Sequence, residues 1–70
     1  MEAKLQKTIS LNIRNERKAQ RLTQQEVAEA ADITVNYYAT IERGESMPSL
    51  LTFIKIVKAL NIKSSKILPL

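Results

Sequence analysis

The scarcity of turn-forming residues is the feature that most limits what this chain can fold into. The sequence contains one glycine and two prolines, and no stretch alternates β-branched with polar residues over the length of a strand. Apolar residues recur instead at four-residue steps, as in Leu5, Ile9 and Ile13, which is the spacing of one helix face. The sequence therefore predicts an all-α fold.

Capping residues divide the chain into five predicted helices. Thr23, Thr34 and Ser49 are residue types that favour the N-cap, and Glu26 completes a capping box with Thr23. Gly44 supplies the positive φ angle of a C-terminal cap. The first predicted helix contains Leu5 and continues to about Gln20. The others run from Gln24 to about Ala31, from Val35 to about Arg43, from the cap Ser49 to the end at Asn61, and around Ser64 to Leu68.

Length and composition narrow the possible classes of protein. Seventy residues are about half the usual size of a domain, so one domain over residues 1–70 is expected. A domain this small is marginally stable by itself, and oligomerisation is the remaining way to stabilise it. The chain has no Cys and no His, and it therefore predicts no disulfide, no usual zinc site and no cofactor. Without these residues or a convergent carboxylate pair, no catalytic group can be nominated, so we expect no enzyme.

Charge and hydropathy indicate the surroundings of the protein. No apolar run approaches the ~18 residues of a membrane span, and the first residues do not resemble a secretory signal, so a cytoplasmic location is expected. A net charge of +4 and a pI near 9.7 attract polyanions. A basic cluster, Arg14, Arg17, Lys18 and Arg21, precedes the acidic residues Glu26, Glu29 and Asp32.

The second and third predicted helices have the pattern of a helix-turn-helix pair. Two short helices joined by a tight turn pack at a steep angle only if a small residue lies at their crossing, and Ala28 meets that requirement. The residues predicted to face the core are Val27, Ala31, Ile33, Tyr38 and Ile41. The outward face of the third helix keeps a row of short, mostly uncharged side chains: Val35, Asn36, Ala39, Thr40 and Arg43. Such a row is typical of a surface that recognises a partner.

The motifs of this region resemble the phage-repressor and Cro-like helix-turn-helix family, often called the XRE family. The resemblance rests on Thr23–Ala28, Ile33, Ile41–Gly44 and Pro48–Leu50, and it extends from Ile9 to about Leu68. It implies a five-helix DNA-binding domain whose third helix enters the major groove of double-stranded DNA.

The resemblance also implies roles for individual residues. It places Val35, Asn36, Ala39 and Thr40 at base edges, and Gln24, Tyr37, Arg43 and Ser46 at phosphates. It pairs Arg17 with Glu42 as a structural contact. The chain departs from the family pattern in three positions: Arg21 and Asp32 replace glycines, and Tyr38 replaces an aliphatic residue, so its ring is expected to emerge at the edge or push the third helix outward.

The expected function is a small transcriptional regulator, acting as a repressor on a palindromic operator. Family members dimerise near the C-terminal end, so a homodimer through Leu51, Ile54, Ile67 and Leu68 is expected, with half-sites about one helical turn apart. No small-molecule ligand is indicated. The alternative is a protein-interaction module, antitoxin-like or deficient in DNA binding, that uses the same fold. Salt dependence separates the two, because only phosphate contacts weaken steeply with salt.

Overall fold

The computed structural model describes residues 2–69, with side chains from residue 3 onward, and helices are the only regular secondary structure in this described part. Met1 and Leu70, the ends of the predicted 1–70 domain, lie outside the described residues. The elements are α1 (Glu2–Ala19), α2 (Gln24–Ala30), α3 (Val35–Glu42), α4 (Leu50–Leu60) and a 3-10 turn (Ser64–Lys66). The all-α prediction is confirmed. The predicted fifth helix is only this 3-10 turn, because a single turn fits between the extended residue Lys63 and Pro69.

The predicted helix starts are confirmed at the level of individual hydrogen bonds. The Thr23 hydroxyl accepts from the Glu26 backbone N–H at 3.0 Å, and the Glu26 carboxylate accepts from the Thr23 N–H at 2.8 Å, which completes the capping box. The hydroxyls of Thr34 and Ser49 each accept from the N–H three residues later, at 3.1 Å. Each cap satisfies a donor that has no partner inside its helix.

Four residues have left-handed backbone conformations, and each follows a helix. They are Gly44 (φ 76°), Asn61 (φ 53°), Asp32 (φ 57°) and Arg21 (φ 58°). Glycine adopts such angles without steric cost, and Asn and Asp tolerate them better than other residues. Arg21 is therefore the one non-glycine residue of the four whose side chain is poorly suited to its conformation.

The core lies where α2 packs against α3 and α4 and where α1 packs against α3. Its buried members are Ile9, Ile13, Val27, Ala28, Ala31, Tyr38, Ile41, Ile56, Leu60 and Ile67. Leu5 departs from the predicted stripe on α1, because it lies beyond the end of the core and is 46% exposed. The Tyr38 ring is completely buried, so it does not emerge at the edge of α3.

Three amide side chains, two on α1 and one on the residue just after it, bind the backbone at the ends of other elements. Each carbonyl they reach lies at or just after a helix terminus, where backbone acceptors lack intrahelical partners. Gln6 donates to the Gly44 carbonyl (2.8 Å), Asn12 to the Ile67 carbonyl (2.8 Å) and Gln20 to the Leu60 carbonyl (2.7 Å). These bonds hold the ends of α3, α4 and the 3-10 turn against α1, and they fix the position of α3 in the fold.

Candidate nucleic-acid interface

The outward face of α3 presents the side chains predicted to reach base edges. Val35 is 39% exposed and Asn36 is exposed, whereas Ala39 and Thr40 are half-buried. Within the described residues, the Asn36 amide makes no hydrogen bond. The Thr40 hydroxyl donates to the Tyr37 carbonyl at 2.6 Å, so its oxygen remains available only as an acceptor. The N-terminal end of α3 is therefore its most accessible part.

An ion pair between α1 and α3 holds this helix from behind. The Arg17 Nε donates to Glu42 Oε2 at 2.6 Å, and its Nη2 donates to Glu42 Oε1 at 3.0 Å. The Arg17 side chain is 12% exposed and that of Glu42 is 2% exposed. A third donor, Nη1, reaches the Leu22 carbonyl at 2.9 Å and thereby joins the α1–α2 turn to the pair. The structural pairing implied by the resemblance is present.

The protonation states of this cluster follow from burial and from these bonds. Burial opposes ionisation of Glu42, but polar contacts, the strongest of them from Arg17, outweigh it and hold its pKa below the ordinary value of 4.5. The bond to Glu42 raises the pKa of Arg17. Burial raises the pKa of Tyr38. The pair is charged at neutral pH, and the tyrosine is neutral.

Gln24, the first residue of α2, belongs to the same cluster. Its Nε2 donates to Glu42 Oε1 at 3.1 Å, and the side chain is half-buried. The sequence interpretation assigned this amide to a phosphate and missed its internal partner. A side-chain amide carries two N–H groups, so one remains beside the bond to Glu42. The Gln24 bond also ties the start of α2 to the end of α3.

The residues predicted to contact phosphates after α3 differ in their accessibility. Arg43 is exposed, and its Nε and Nη2 donate to the two carboxylate oxygens of Glu45 at 3.0 and 3.1 Å. Tyr37 and Ser46 are half-buried, and the Ser46 backbone N–H donates to the Thr40 carbonyl at 3.2 Å. The sequence interpretation missed Glu45, although its charge, opposite in sign and two residues from Arg43, is the signal that indicates the pair.

Two adjoining grooves with basic walls meet at Arg43. One is lined by Lys7 and Arg14 of α1 together with Arg43 and Gly44. The other, which also borders the buried Glu42, is lined by Arg14, Arg17, Gln24 and Arg43. The sequence interpretation treated Arg14 as part of a solvated helix face and did not single out Lys7. Among the residues described, no group of three His, Cys, Asp or Glu side chains is placed to hold a metal ion, and none of the helices is long and apolar enough to cross a membrane.

A second exposed surface, at the start of α4, is apolar and contributes no residue to the lining of these grooves. Leu51 is 63% exposed and Ile54 is 41% exposed, while Leu68 is half-buried. Leu50, which the sequence interpretation did not include, is 76% exposed. Ile67 corrects the predicted interface: its side chain is fully buried in the core of the same chain and has no surface to offer a partner.

Comparison with known proteins agrees with a helix-turn-helix fold of this geometry. The profile of the helix-turn-helix family HTH_3 matches residues 13–67, which is most of the chain. The chain belongs to this family of DNA-binding transcription regulators. It is 40% identical over 60 residues to the immunity repressor protein of Bacillus phage phi105. That match covers 86% of this chain but only 42% of the length of the phage protein.

Solved structures of similar proteins extend the comparison. The restriction-modification controller protein C.AhdI from Aeromonas hydrophila superposes with a TM-score of 0.85 at 26% identity, over 89% of this chain and 94% of its own. An HTH_3 family transcriptional regulator from Vibrio cholerae superposes with a TM-score of 0.90 at 27% identity. That match covers 96% of this chain and 38% of the regulator. The fold is thus found both in a protein of similar length and as part of a longer one.

Proposed function

We propose that this chain binds specific DNA sequences as a homodimer, with α3 in the major groove, and that it represses transcription from the sites it covers. The observation that carries the proposal is the exposed, unbonded amide of Asn36 near the start of a helix that is anchored internally through Arg17 and Glu42. A polar side chain free of internal partners on a rigidly held helix is suited to read base edges.

The proposed base contacts follow from the chemistry of the α3 row. The Asn36 amide can donate to and accept from one adenine edge at the same time. Val35 and Ala39 supply apolar contact for a thymine methyl group. Thr40 acts as an acceptor, because its proton is already bonded to the Tyr37 carbonyl. None of these four base-contact positions is an Arg, so bidentate reading of guanine is not expected there.

The proposed phosphate contacts surround this row. Arg43 lies just after α3 and carries an exposed guanidinium, which is suited to bidentate contact with phosphate oxygens. Tyr37 and Ser46 contribute hydroxyl groups, and Gln24 contributes the amide N–H that Glu42 does not use. Such contacts set the register of the protein on the duplex, while the α3 row supplies the sequence preference.

The proposed dimer forms through the apolar surface of α4, composed of Leu50, Leu51 and Ile54, together with Leu68. Half-sites one helical turn apart require recognition helices roughly 34 Å apart, so each α3 must lie about 17 Å from the two-fold axis. The longest dimension of the protein is 31 Å, which accommodates that distance. Pairing through α4 also covers large apolar side chains that are otherwise exposed to water.

Sedimentation equilibrium tests this dimer. Leu51→Glu is expected to raise the dimer dissociation constant at least tenfold, because burial of a leucine contributes about 1.5–3 kcal/mol. Leu11→Glu is the matched control, since Leu11 on α1 is 54% exposed and lies outside the proposed interface. A monomer at all protein concentrations, or equal weakening by both substitutions, contradicts the proposed interface.

Repression follows from occupancy, because a bound dimer and RNA polymerase compete for the same promoter DNA. The similarity to an immunity repressor supports this sign of regulation. A site upstream of the promoter would instead let the same contacts hold the polymerase in place. A protein of this kind acts in the compartment that contains the DNA, which supports the predicted cytoplasmic location.

Fluorescence anisotropy with a labelled pool of random-sequence duplexes tests whether DNA is the partner. A protein that contacts several phosphates loses affinity by orders of magnitude between ~50 and ~200 mM salt. Failure to bind the pool at ~50 mM salt contradicts the proposal and favours the protein-interaction module. A fall in affinity that follows the salt concentration supports DNA binding through the basic surface.

A further inference from the structure

We propose that Glu45 lowers the affinity of the protein for DNA. In the free protein, Glu45 binds the Arg43 guanidinium in the same bidentate manner as a DNA phosphate does in the complex. Binding then exchanges one ion pair for another. This inference rests on the proposed function, because it concerns what Arg43 does when DNA arrives.

The geometry of the pair supports an exchange of partners. The Nε and Nη2 atoms of Arg43 donate to different carboxylate oxygens of Glu45, at 3.0 and 3.1 Å. Carboxylate and phosphate groups are bound by this edge of a guanidinium in the same bidentate manner. A phosphate therefore competes with Glu45 for the same two donors, and the carboxylate must be displaced before Arg43 can make its full contact.

The position of the pair makes that exchange possible without unfolding. Arg43 and Glu45 flank Gly44, just after the last residue of α3, and their side chains are 54% and 58% exposed. An exposed ion pair contributes little to stability, so either partner can leave it at small cost. The Arg17–Glu42 pair nearby is of the opposite kind, since it is buried and ties helices together.

The charges around Arg43 explain why Glu45 matters for DNA binding. Lys7 and Arg14 line the groove at Arg43, so the surface attracts a polyanion. Glu42 also borders this groove, but its carboxylate is 2% exposed and already neutralised by Arg17. Of the two carboxylates that form ion pairs within residues 3–69, Glu45 is the one that solvent and DNA can reach.

A four-protein cycle measures the exchange: the original protein, Glu45→Gln, Arg43→Gln and the double variant. Each is titrated into the labelled random-duplex pool at several salt concentrations. Glu45→Gln is expected to tighten binding about two- to fivefold more when Arg43 is present than when it is Gln. With Arg43 present, the dependence of log K on log salt should stay nearly unchanged, because Arg43 contacts a phosphate in the complex with or without Glu45.

Glu29→Gln is the matched control, because it makes the same change of net charge at an exposed carboxylate on α2. It should produce no coupling to Arg43. Equal effects of Glu45→Gln in both Arg43 backgrounds, or an effect no larger than that of Glu29→Gln, overturn this inference while DNA binding stands. Absence of binding by all the proteins overturns the proposed function, and this inference with it.

Discussion

Removal of the Arg17 side chain is expected to destabilise the fold more than removal of any exposed charge. In Arg17→Ala, the Glu42 carboxylate, whose side chain is 2% exposed in the original protein, loses donors at 2.6 and 3.0 Å. The 3.1 Å bond from Gln24 remains, and the Leu22 carbonyl loses its 2.9 Å partner. Breaking a buried pair in this way costs about 3–5 kcal/mol. The whole fold of 70 residues has only about 3.5–10 kcal/mol of stability.

Urea unfolding followed by far-UV circular dichroism measures this effect at pH 7. Arg14→Ala is the control, since Arg14 lies one turn earlier on α1 and is exposed. The control is expected to stay within about 0.5 kcal/mol of the original protein. A difference of less than about 1 kcal/mol between the two variants refutes the reasoning, because it means that the buried carboxylate does not need its partner.

The pH dependence of the same measurement identifies Glu42 as the cause. The folded-state pKa of Glu42 lies below its ordinary value of 4.5, so its contribution to stability is present above that value and is lost as the pH falls through the folded-state pKa. Without Arg17, burial favours the neutral carboxyl group instead. The destabilisation of Arg17→Ala relative to Arg14→Ala is therefore expected to shrink as the pH falls from 7 to about 4. A constant difference contradicts this explanation.

Two further pairs of substitutions test the backbone and the surface proposed to read DNA. Arg21→Gly is expected to raise the free energy of unfolding in urea titrations by about 1 kcal/mol, because a φ of 58° is strained for Arg and not for Gly. Asn61→Gly should change the free energy of unfolding less, since Asn tolerates its left-handed conformation. Equal effects of the two substitutions would contradict this explanation. Asn36→Ala is expected to cost about 1–3 kcal/mol at one base pair and relax the preference there, whereas Arg43→Ala should weaken binding to all sequences, as measured on duplexes with single base changes. Uniform loss for Asn36→Ala contradicts its role.

Features that depend on neighbouring residues could be predicted from the sequence. The caps at Thr23, Thr34 and Ser49 were confirmed because a hydroxyl and the N–H three residues later are close in any helix start. The left-handed helix end at Gly44 was confirmed for the same reason, since this residue type favours that conformation.

Features that depend on the packing of distant segments could not be predicted in this way. The bonds from Gln6, Asn12 and Gln20 to remote carbonyls span 38–55 residues, and nothing local to those side chains indicates them. The burial of Ile67 likewise depends on where the 3-10 turn meets the core, which helical periodicity does not define. The Arg17–Glu42 pair spans 25 residues, and it was predicted only through the family resemblance.

The candidate site shows the same division. Helical spacing was sufficient to place Val35, Asn36, Ala39 and Thr40 in one row. It did not reveal that Thr40 bonds to its own helix, because that depends on a side-chain rotamer. It also did not reveal that Glu45 engages Arg43, although short spacing and opposite charge were visible in the sequence.

The most direct test of the central claim is selection of bound duplexes from a random-sequence pool, with the original protein and Asn36→Ala in parallel. The account predicts an enriched inverted repeat with half-site centres about one helical turn, roughly 34 Å, apart. It also predicts that Asn36→Ala loses the preference at one position of each half-site and keeps the others. Recovery of no enriched sequence, or of the same sequence with both proteins, would contradict the claim that α3 reads DNA through Asn36.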